Sequence, residues 1–117
     1  MIKKDLDLSR KWQVLLQNLK EVIGKKPGDL NGVLFLIGVQ ELGRGNQVFS
    51  KEEKQDLIHL GICKVLSLDG YYELNGHDKE GWPHWKLVKN LPHLDIVEQE
   101  KLLKINVIEY FENEIGI

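Results

Sequence analysis

The residues most suited to chemistry are concentrated in one segment, residues 71–93. This segment holds four of the nine aromatic residues, three of the four histidines and two of the three prolines. Its centre, residues 75–85, reads Asn-Gly-His-Asp-Lys-Glu-Gly-Trp-Pro-His-Trp. Binding residues are common in connecting segments that a rigid scaffold holds in place. We therefore expect a functional site of this chain to lie in this segment.

One interpretation of the segment is a metal site formed by His77, Asp78 and His84. Two imidazoles and a carboxylate suit zinc or iron and leave a coordination position open for water. Such a site would make the chain a metal-dependent hydrolase. The spacing of the three residues matches no established ligand pattern, and adjacent His77 and Asp78 side chains often point apart.

A second interpretation is a binding surface formed by Tyr72, Trp82, His84 and Trp85. Aromatic residues of these types are enriched at interaction hot spots, because they bury a large area and keep a polar group. In a third interpretation, the tryptophans close the open end of a helical bundle and Asp78 caps the turn. The second and third interpretations are compatible, since one tryptophan can pack inward while the other faces a partner.

Few residues are available for nucleophilic catalysis. The sequence contains three serines, no threonine and one cysteine, and it lacks both the Gly-x-Ser-x-Gly and the Gly-Lys-Ser/Thr motifs. His59 and Cys63 are four residues apart on a predicted helix, so their side chains are neighbours. One hypothesis is a thiolate–imidazole pair in which the imidazole lowers the pKa of the thiol. The alternative is a cysteine that acts as a small apolar residue. The sequence favours a protein without catalysis and without a cofactor.

The first of four predicted helices ends at Gly24. Apolar residues recur at the i, i+3, i+4 and i+7 spacing that is typical of an amphipathic helix. Asp7 or Ser9 is expected to cap its start, and Gly24 to end it in a left-handed conformation. The apolar stripe is predicted to be core: Leu8, Trp12, Leu15, Leu16, Leu19, Val22 and Ile23.

The second predicted helix, from Leu30 to Leu42, is apolar on nearly all sides. A helix without a polar face is normally central, with neighbours on several sides. We expect the other helices to surround it. Gly32 and Gly38 would allow another backbone to approach closely, at a cost of about 1 kcal/mol each relative to alanine.

The third predicted helix begins with a capping box, Ser50 and Glu53, and runs to about Leu68. In this motif the serine side chain accepts from the glutamate N–H while the glutamate reaches back to the serine N–H. Asp69 and Gly70 are expected to end the helix. The residues predicted to be buried are Leu57, Ile58, Gly61, Ile62, Val65, Leu66 and Leu68.

The last predicted helix starts at Asp95, with Glu98 three residues later, and runs to about Asn113. Its predicted core stripe comprises Ile96, Leu103, Val107, Tyr110 and Phe111. Three further apolar residues fall outside that stripe: Leu102, Ile105 and Ile108. They could contact a second neighbour or a second subunit, so a structural role through self-association, as a homodimer, is another hypothesis.

The connection between the third and fourth helices, residues 69–94, is too long to be structureless in a compact domain. Residues 71–74 and 85–88 carry aromatic and branched side chains that favour strands. A short hairpin with its tip between Gly76 and Gly81 is predicted. The predicted fold is therefore mainly α: a single domain, residues 1–117, with four helices in an orthogonal or bundle-like arrangement. A short β-hairpin or ordered aromatic loop lies between helices 3 and 4.

The net charge, the apolar runs and the single cysteine indicate which partners and which compartment to expect. Sixteen basic and eighteen acidic residues give a net charge of −2, whereas a nucleic-acid-binding domain usually shows a basic patch or stripe. Two aspartates interrupt residues 1–7, which therefore do not resemble a signal peptide. The longest apolar run, residues 30–39, is short of the ~18–20 residues that would cross a bilayer. A single cysteine cannot form an internal disulfide.

We therefore expect a cytoplasmic protein, of bacterial type by its size and lysine-rich composition, that binds neither nucleic acid nor membranes. The function that the sequence favours is that of a small binding protein with a protein or small-molecule partner. Its binding surface is predicted to lie in residues 71–93.

Overall fold

The computed structural model describes residues 2–24, 26–45 and 47–116, and for residues 2–5 it describes the backbone alone. This part of the chain is mainly helical and has a two-stranded antiparallel hairpin between the third and fourth helices, as predicted. The elements are α1 (Ile2–Ile23), α2 (Leu30–Leu42), α3 (Lys51–Ser67), β1 (Tyr72–His77), β2 (Pro83–Leu87), α4 (Ile96–Tyr110) and a π-helical turn (Phe111–Ile115). None of the helices in the described ranges has both the length and the apolar character needed to cross a bilayer. The bundle-like arrangement and the single domain stay predictions.

Helix α1 begins earlier than the sequence predicts. Residues 2–6 are helical, so Asp7 and Ser9 lie inside the helix and neither is its N-cap. Residues 2–6 contain no glycine or proline, and nothing in this stretch stops a helix. The end is as predicted: Gly24 has a φ of +78°, and its N–H donates to the Lys20 carbonyl at 2.7 Å.

Helices α1 and α4 pack against each other in one compact unit. Trp12 is buried on α1, and the Nζ of Lys104 on α4 lies 5.2 Å from the centroid of its ring. The core stripe of α1 is shorter than predicted, because Val22 and Ile23 are 67% and 47% exposed. These two residues lie in the last turn of the helix. The buried part of the stripe is Trp12, Leu15, Leu16 and Leu19.

Helix α4 begins as predicted, since the Asp95 side chain accepts from the N–H of Glu98 at 2.8 Å. Two predictions about its faces are wrong. Ile96 is 82% exposed because it is the first residue of the helix, and Ile108 is only 8% exposed. The second half of α4 is buried on most sides, so a single stripe does not describe it. The hypothetical self-association surface therefore loses Ile108, whereas Ile105 remains 46% exposed.

The α-helical hydrogen bonding of α4 ends at Tyr110, and residues Phe111–Ile115 form a π-helical turn. Gly116 closes this turn with a φ of +84°, and its N–H donates to the Phe111 carbonyl. The sequence, by contrast, predicts a regular α-helix to about Asn113. Wider turns of this kind are rare and short in α-helices, and a sequence pattern with a period near 3.6 does not predict them.

Asn106, also on α4, is the one buried polar residue of the described chain. Neither atom of its side-chain amide has a hydrogen-bond partner within the ranges described. A buried amide without partners costs about 1–3 kcal/mol. The unpaired amide of Asn106 therefore lowers the stability that α4 gains by burying its second half.

Helices α2 and α3, with the hairpin, belong to a second compact unit, residues 31–93. The two helices cross where each carries a glycine. A Cβ atom on Gly38 would lie less than 3.0 Å from the carbonyl oxygen of Leu57, and one on Gly61 less than 3.0 Å from that of Leu34. Each glycine thus faces the backbone of the other helix. The expectation that Gly38 permits close approach is confirmed, and Gly61 supplies the matching gap.

Helix α3 has the predicted ends. The Ser50 side chain accepts from the N–H of Glu53 at 3.1 Å, and the Glu53 carboxylate accepts from the N–H of Ser50 at 2.9 Å. The chain leaves the helix through Gly70, which has a φ of +81°.

Helix α3 buries more than one face, because both strands of the hairpin contact it. Ile58, Ile62 and Leu68 are only half-buried, whereas two residues outside the predicted stripe, Leu60 and Cys63, are buried.

The hairpin pairs Tyr72 with Leu87 and Leu74 with Trp85, and the register shifts before His77, which pairs with Pro83. Gly76 lies in this irregularity with a φ of +78°, a conformation that glycine adopts without strain. Gly76 is therefore part of β1, whereas the sequence predicts that it lies at the start of the tip. The tip comprises residues 78–82.

The glycine crossing predicts that an added methyl group destabilises the protein. Gly61→Ala and Gly38→Ala should each lower the free energy of unfolding by about 1–3 kcal/mol, because the new Cβ forces the two backbones apart. This loss should exceed the gain of about 1 kcal/mol that alanine brings to a helix. Denaturant unfolding followed by circular dichroism measures the change.

Gly28→Ala is the matched control for this prediction. Gly28 has neither a neighbour within 4 Å of a built Cβ nor a positive φ. Its substitution should be neutral or slightly stabilising. If Gly61→Ala and Gly38→Ala stabilise the protein as much as Gly28→Ala does, the close crossing is wrong.

Candidate functional site

A groove lies between α3 and the hairpin, and we call it the α3–hairpin groove. Its volume is about 410 Å³. Five residues of α3 line one side: Glu53, Asp56, His59, Leu60 and Cys63. Six residues of the hairpin line the other: Asp78, Glu80, Trp82, Pro83, His84 and Trp85. All of these residues belong to the second compact unit.

The two tryptophans of the groove are also part of the hydrophobic core of this unit. Both are partly buried and pack against a cluster formed by Leu42, Phe49, Leu57 and Leu60. Phe35, which also packs on this cluster, meets Phe49 edge to face, with ring centroids 6.1 Å apart. Trp82 and Trp85 therefore support the hairpin and line the groove at the same time. This packing holds their rings in place, which favours binding because less freedom is lost when a ligand enters.

Asp78 organises the hairpin tip. Its Oδ1 accepts from the backbone N–H groups of Glu80 and Trp82, each at 2.9 Å, and its Oδ2 lies 3.1 Å from the Nε2 of His84. The backbone N–H of Trp82, and then the His84 imidazole, hold the pKa of Asp78 below its ordinary value. The prediction that Asp78 caps the turn is confirmed. The same side chain also fixes His84 at the edge of the groove.

Removal of the Asp78 carboxylate should loosen the tip while α3 stays folded. Asp78→Ala leaves the N–H groups of Glu80 and Trp82 without their acceptor, so their amide hydrogens should exchange faster with solvent. Lys79→Ala, at the exposed neighbouring position, is the control and should leave that exchange unchanged. Amide hydrogen exchange followed by NMR measures both. Equal exchange in the two variants would contradict this role of Asp78.

The same contacts predict a pH dependence of the tip. Because the pKa of Asp78 is lowered in the folded protein, the charged carboxylate stabilises the hairpin at pH values above its ordinary pKa, about 4. That stabilisation is lost as the pH falls through the lowered pKa. Trp82 N–H protection should therefore decrease at acidic pH in the wild type. In Asp78→Ala it should show no such step.

Cys63 is not an activated nucleophile. Its Sγ lies 3.5 Å from the Nε2 of His59, and interaction with the Tyr72 hydroxyl lowers the pKa of its thiol. Burial nevertheless raises the pKa of Cys63 to about 11, because desolvation of the thiolate outweighs the hydrogen bond from Tyr72. The hypothesis of a thiolate–imidazole pair is therefore wrong, although the two side chains are neighbours as expected. Cys63 acts as a small buried residue.

Alkylation of Cys63 by iodoacetamide should be slow at pH 8. The thiolate is the reactive species, and a rise of the pKa from 9.0 to about 11 reduces its population by about 100-fold. The same protein in concentrated guanidinium is the control, because it contains the same single cysteine without the burial. Mass spectrometry measures both rates. A native rate equal to the denatured rate would contradict the raised pKa.

The structure brings together three of the four predicted binding residues. Trp82, His84 and Trp85 line the α3–hairpin groove. Tyr72 is half-buried beside Cys63 and is not among the lining residues that the structure describes. The sequence singles out His59 and Cys63 as a pair but does not predict that they line the groove, and it does not single out the other residues of the α3 side. The lining residues there follow a helical stripe, but only the folded hairpin reveals which stripe faces the segment: Glu53, Asp56, His59, Leu60 and Cys63.

The hypothetical metal site is assembled only in part. Asp78 and His84 are paired, whereas in the described residues no side-chain hydrogen bond or ion pair joins His77 to either of them. Within residues 2–24, 26–45 and 47–116, no three side chains of His, Cys, Asp or Glu are grouped so that they could hold a metal ion. The carboxylate of Asp78 is already used by the turn and by His84.

No protein-family model, no curated protein and no solved structure matches this chain.

Proposed function

We propose that this chain is a non-enzymatic binding protein and that the α3–hairpin groove is its binding site. The observation that carries the proposal is the position of Trp82, His84 and Trp85 along one side of a groove of about 410 Å³. Small-molecule sites commonly have volumes of about 300–1,000 Å³. A groove of this size accommodates a small molecule or a few side chains of a protein partner.

The aromatic rings supply the main source of affinity. Tryptophan buries a large area with few rotatable bonds and is among the residues most enriched at binding hot spots. Both rings are already supported from behind by the cluster that contains Leu57 and Leu60. A ligand therefore meets preorganised rings, which lowers the entropy cost of binding.

The polar groups of the groove favour binding over catalysis. A nucleophile needs a lowered pKa or an adjacent base, whereas burial raises the pKa of Cys63 to about 11. Asp78 is engaged with two backbone N–H groups and with His84. The role of Asp78 in capping the tip accounts for these contacts, so they need no catalytic explanation.

A blocking substitution tests the proposal. Asp56 is an exposed residue of α3 that lines the groove, so Asp56→Trp places a large side chain in the groove without removing a core contact. Gln55→Trp adds the same side chain at the neighbouring exposed position, which does not line it. Each ¹⁵N-labelled protein is titrated with a panel of capped dipeptides that carry acidic, basic, aliphatic or aromatic side chains.

We expect at least one dipeptide to shift the indole N–H signals of Trp82 and Trp85 in the wild type. Gln55→Trp should show the same shifts, and Asp56→Trp should lose at least nine tenths of their amplitude. The proposal is wrong if no dipeptide shifts these signals at millimolar concentration. It is also wrong if the shifts persist unchanged in Asp56→Trp.

A further inference from the structure

The dipeptide Asn-Gly occurs twice in the sequence, at residues 31–32 and at residues 75–76. We infer that Asn75 is a site of spontaneous covalent modification, in which the backbone nitrogen of Gly76 attacks the side-chain amide of Asn75. The inference comes from the position of this dipeptide in an exposed, irregular part of β1. The same dipeptide in α2, Asn31–Gly32, should stay intact in the folded protein. The modification itself does not depend on the proposed binding function.

The reaction needs only the chain and water. The backbone nitrogen of Gly76 loses its proton and forms a bond to the Cγ of Asn75. The bond from Cγ to the amide nitrogen breaks, and that nitrogen leaves with the proton as ammonia. Water then opens either C–N bond of the resulting five-membered imide, which gives aspartate or isoaspartate at this position. The net change replaces ammonia by water, without oxidation or reduction.

The backbone at Gly76 has the freedom that ring closure requires. The backbone nitrogen must rotate toward the side-chain carbonyl carbon of the preceding residue, and glycine permits this rotation because it has no Cβ. Gly76 has a φ of +78°, and no atom lies within 4 Å of a Cβ built on it. The side of the backbone from which a Cβ would project is therefore open.

The β-ladder does not hold this dipeptide in place. The register shifts after Leu74, and neither of the next two residues has a cross-strand partner in it. Pairing resumes at His77, opposite Pro83, which has no backbone N–H to donate. Asn75 and Gly76 are both exposed, and within the described chain the Asn75 side chain makes no hydrogen bond. The amide of Asn75 can therefore approach the backbone nitrogen without breaking a contact of the fold.

The dipeptide in α2 is held by a regular helix. Asn31 is exposed, as Asn75 is. The helix, however, directs the backbone N–H groups along its axis, so the imide can form only if the first turn unwinds. Val33, the residue after this dipeptide, is fully buried, and unwinding would expose it. The two dipeptides thus share their sequence and the exposure of their asparagine, and they differ in the conformation of the backbone.

The products would alter the hairpin. Aspartate adds a negative charge to β1, and isoaspartate also adds one carbon atom to the main chain between Leu74 and Gly76. An added backbone atom displaces the tip relative to the strand pair of Leu74 and Trp85. The hydrogen bond from the N–H of Trp82 to the Oδ1 of Asp78 lies in that tip. We therefore expect the modified protein to have a looser tip and, with it, a less ordered hairpin side of the groove.

The test compares the two dipeptides within one molecule. The intact chain is incubated at neutral and at mildly alkaline pH, both native and in concentrated guanidinium. Asn31 and Asn75 fall in different tryptic peptides, so mass spectrometry gives the deamidated fraction at each position over time. Asn75→Gln is the matched variant, because glutamine keeps the amide but has to form a six-membered ring, which closes more slowly.

We expect Asn75 to deamidate at least about tenfold faster than Asn31 in the native protein, because the helix must open before Asn31 can react. In guanidinium the two rates should be similar, since the local sequence is the same. Asn75→Gln should show no deamidation at this position over the same time. After incubation, the N–H of Trp82 should exchange faster with solvent in the wild type, and its exchange in Asn75→Gln should stay unchanged.

Two results would overturn the inference. The first is a native rate at Asn75 no higher than that at Asn31. The second is a native rate at Asn75 more than about tenfold below its own rate in guanidinium, because the hairpin would then protect the dipeptide. Unchanged exchange of the Trp82 N–H in deamidated protein would overturn the effect on the tip. The dipeptide titration of freshly prepared protein tests the proposed function separately from all of these results.

Discussion

The contact between two helix backbones at Gly38 and Gly61 determines where α3 lies in its unit. Each glycine leaves room for a carbonyl group of the other helix, so the two axes approach more closely than any side chain would allow. One face of α3 is buried in this crossing, so its other faces are available to contact the hairpin. The lining residues of the groove, such as Asp56 and Leu60, follow from that division of the helix surface.

The same residues support the hairpin and line the groove. Trp82 and Trp85 hold the hairpin on the helical cluster and also form one side of the groove. Asp78 holds the tip together and positions His84. Because of this overlap, truncation of either tryptophan would change stability and binding at once. Substitutions at exposed lining positions on α3, such as Asp56, separate the two effects more cleanly.

Local signals explain what could be predicted from the sequence. The bounds of α2 and the capping box of Ser50 depend on neighbouring residues alone, and so does the capping of the tip by Asp78. The burial of Ile108 and the raised pKa of Cys63 depend on which elements pack together, and the spacing of apolar residues along one helix does not reveal that packing. For the same reason the aromatic side of the groove could be predicted from composition, whereas its acidic side on α3 could not.

The hairpin is a two-stranded sheet with no third strand in the described chain, and such sheets are at best marginally stable alone in water. Its stability must come from the contact of its tryptophans with the cluster around Leu57. That cluster exists only after α2 and α3 have crossed, so the hairpin should join late in folding, and open first when the native protein fluctuates. The groove is then the part of its unit that opens most readily. Its free form would exchange with a partly opened one, and an occupant that contacts both α3 and the hairpin would bind the closed form preferentially. Ligand binding would in that case be measurable as a slowing of hairpin opening, even where no atom of the helices moves.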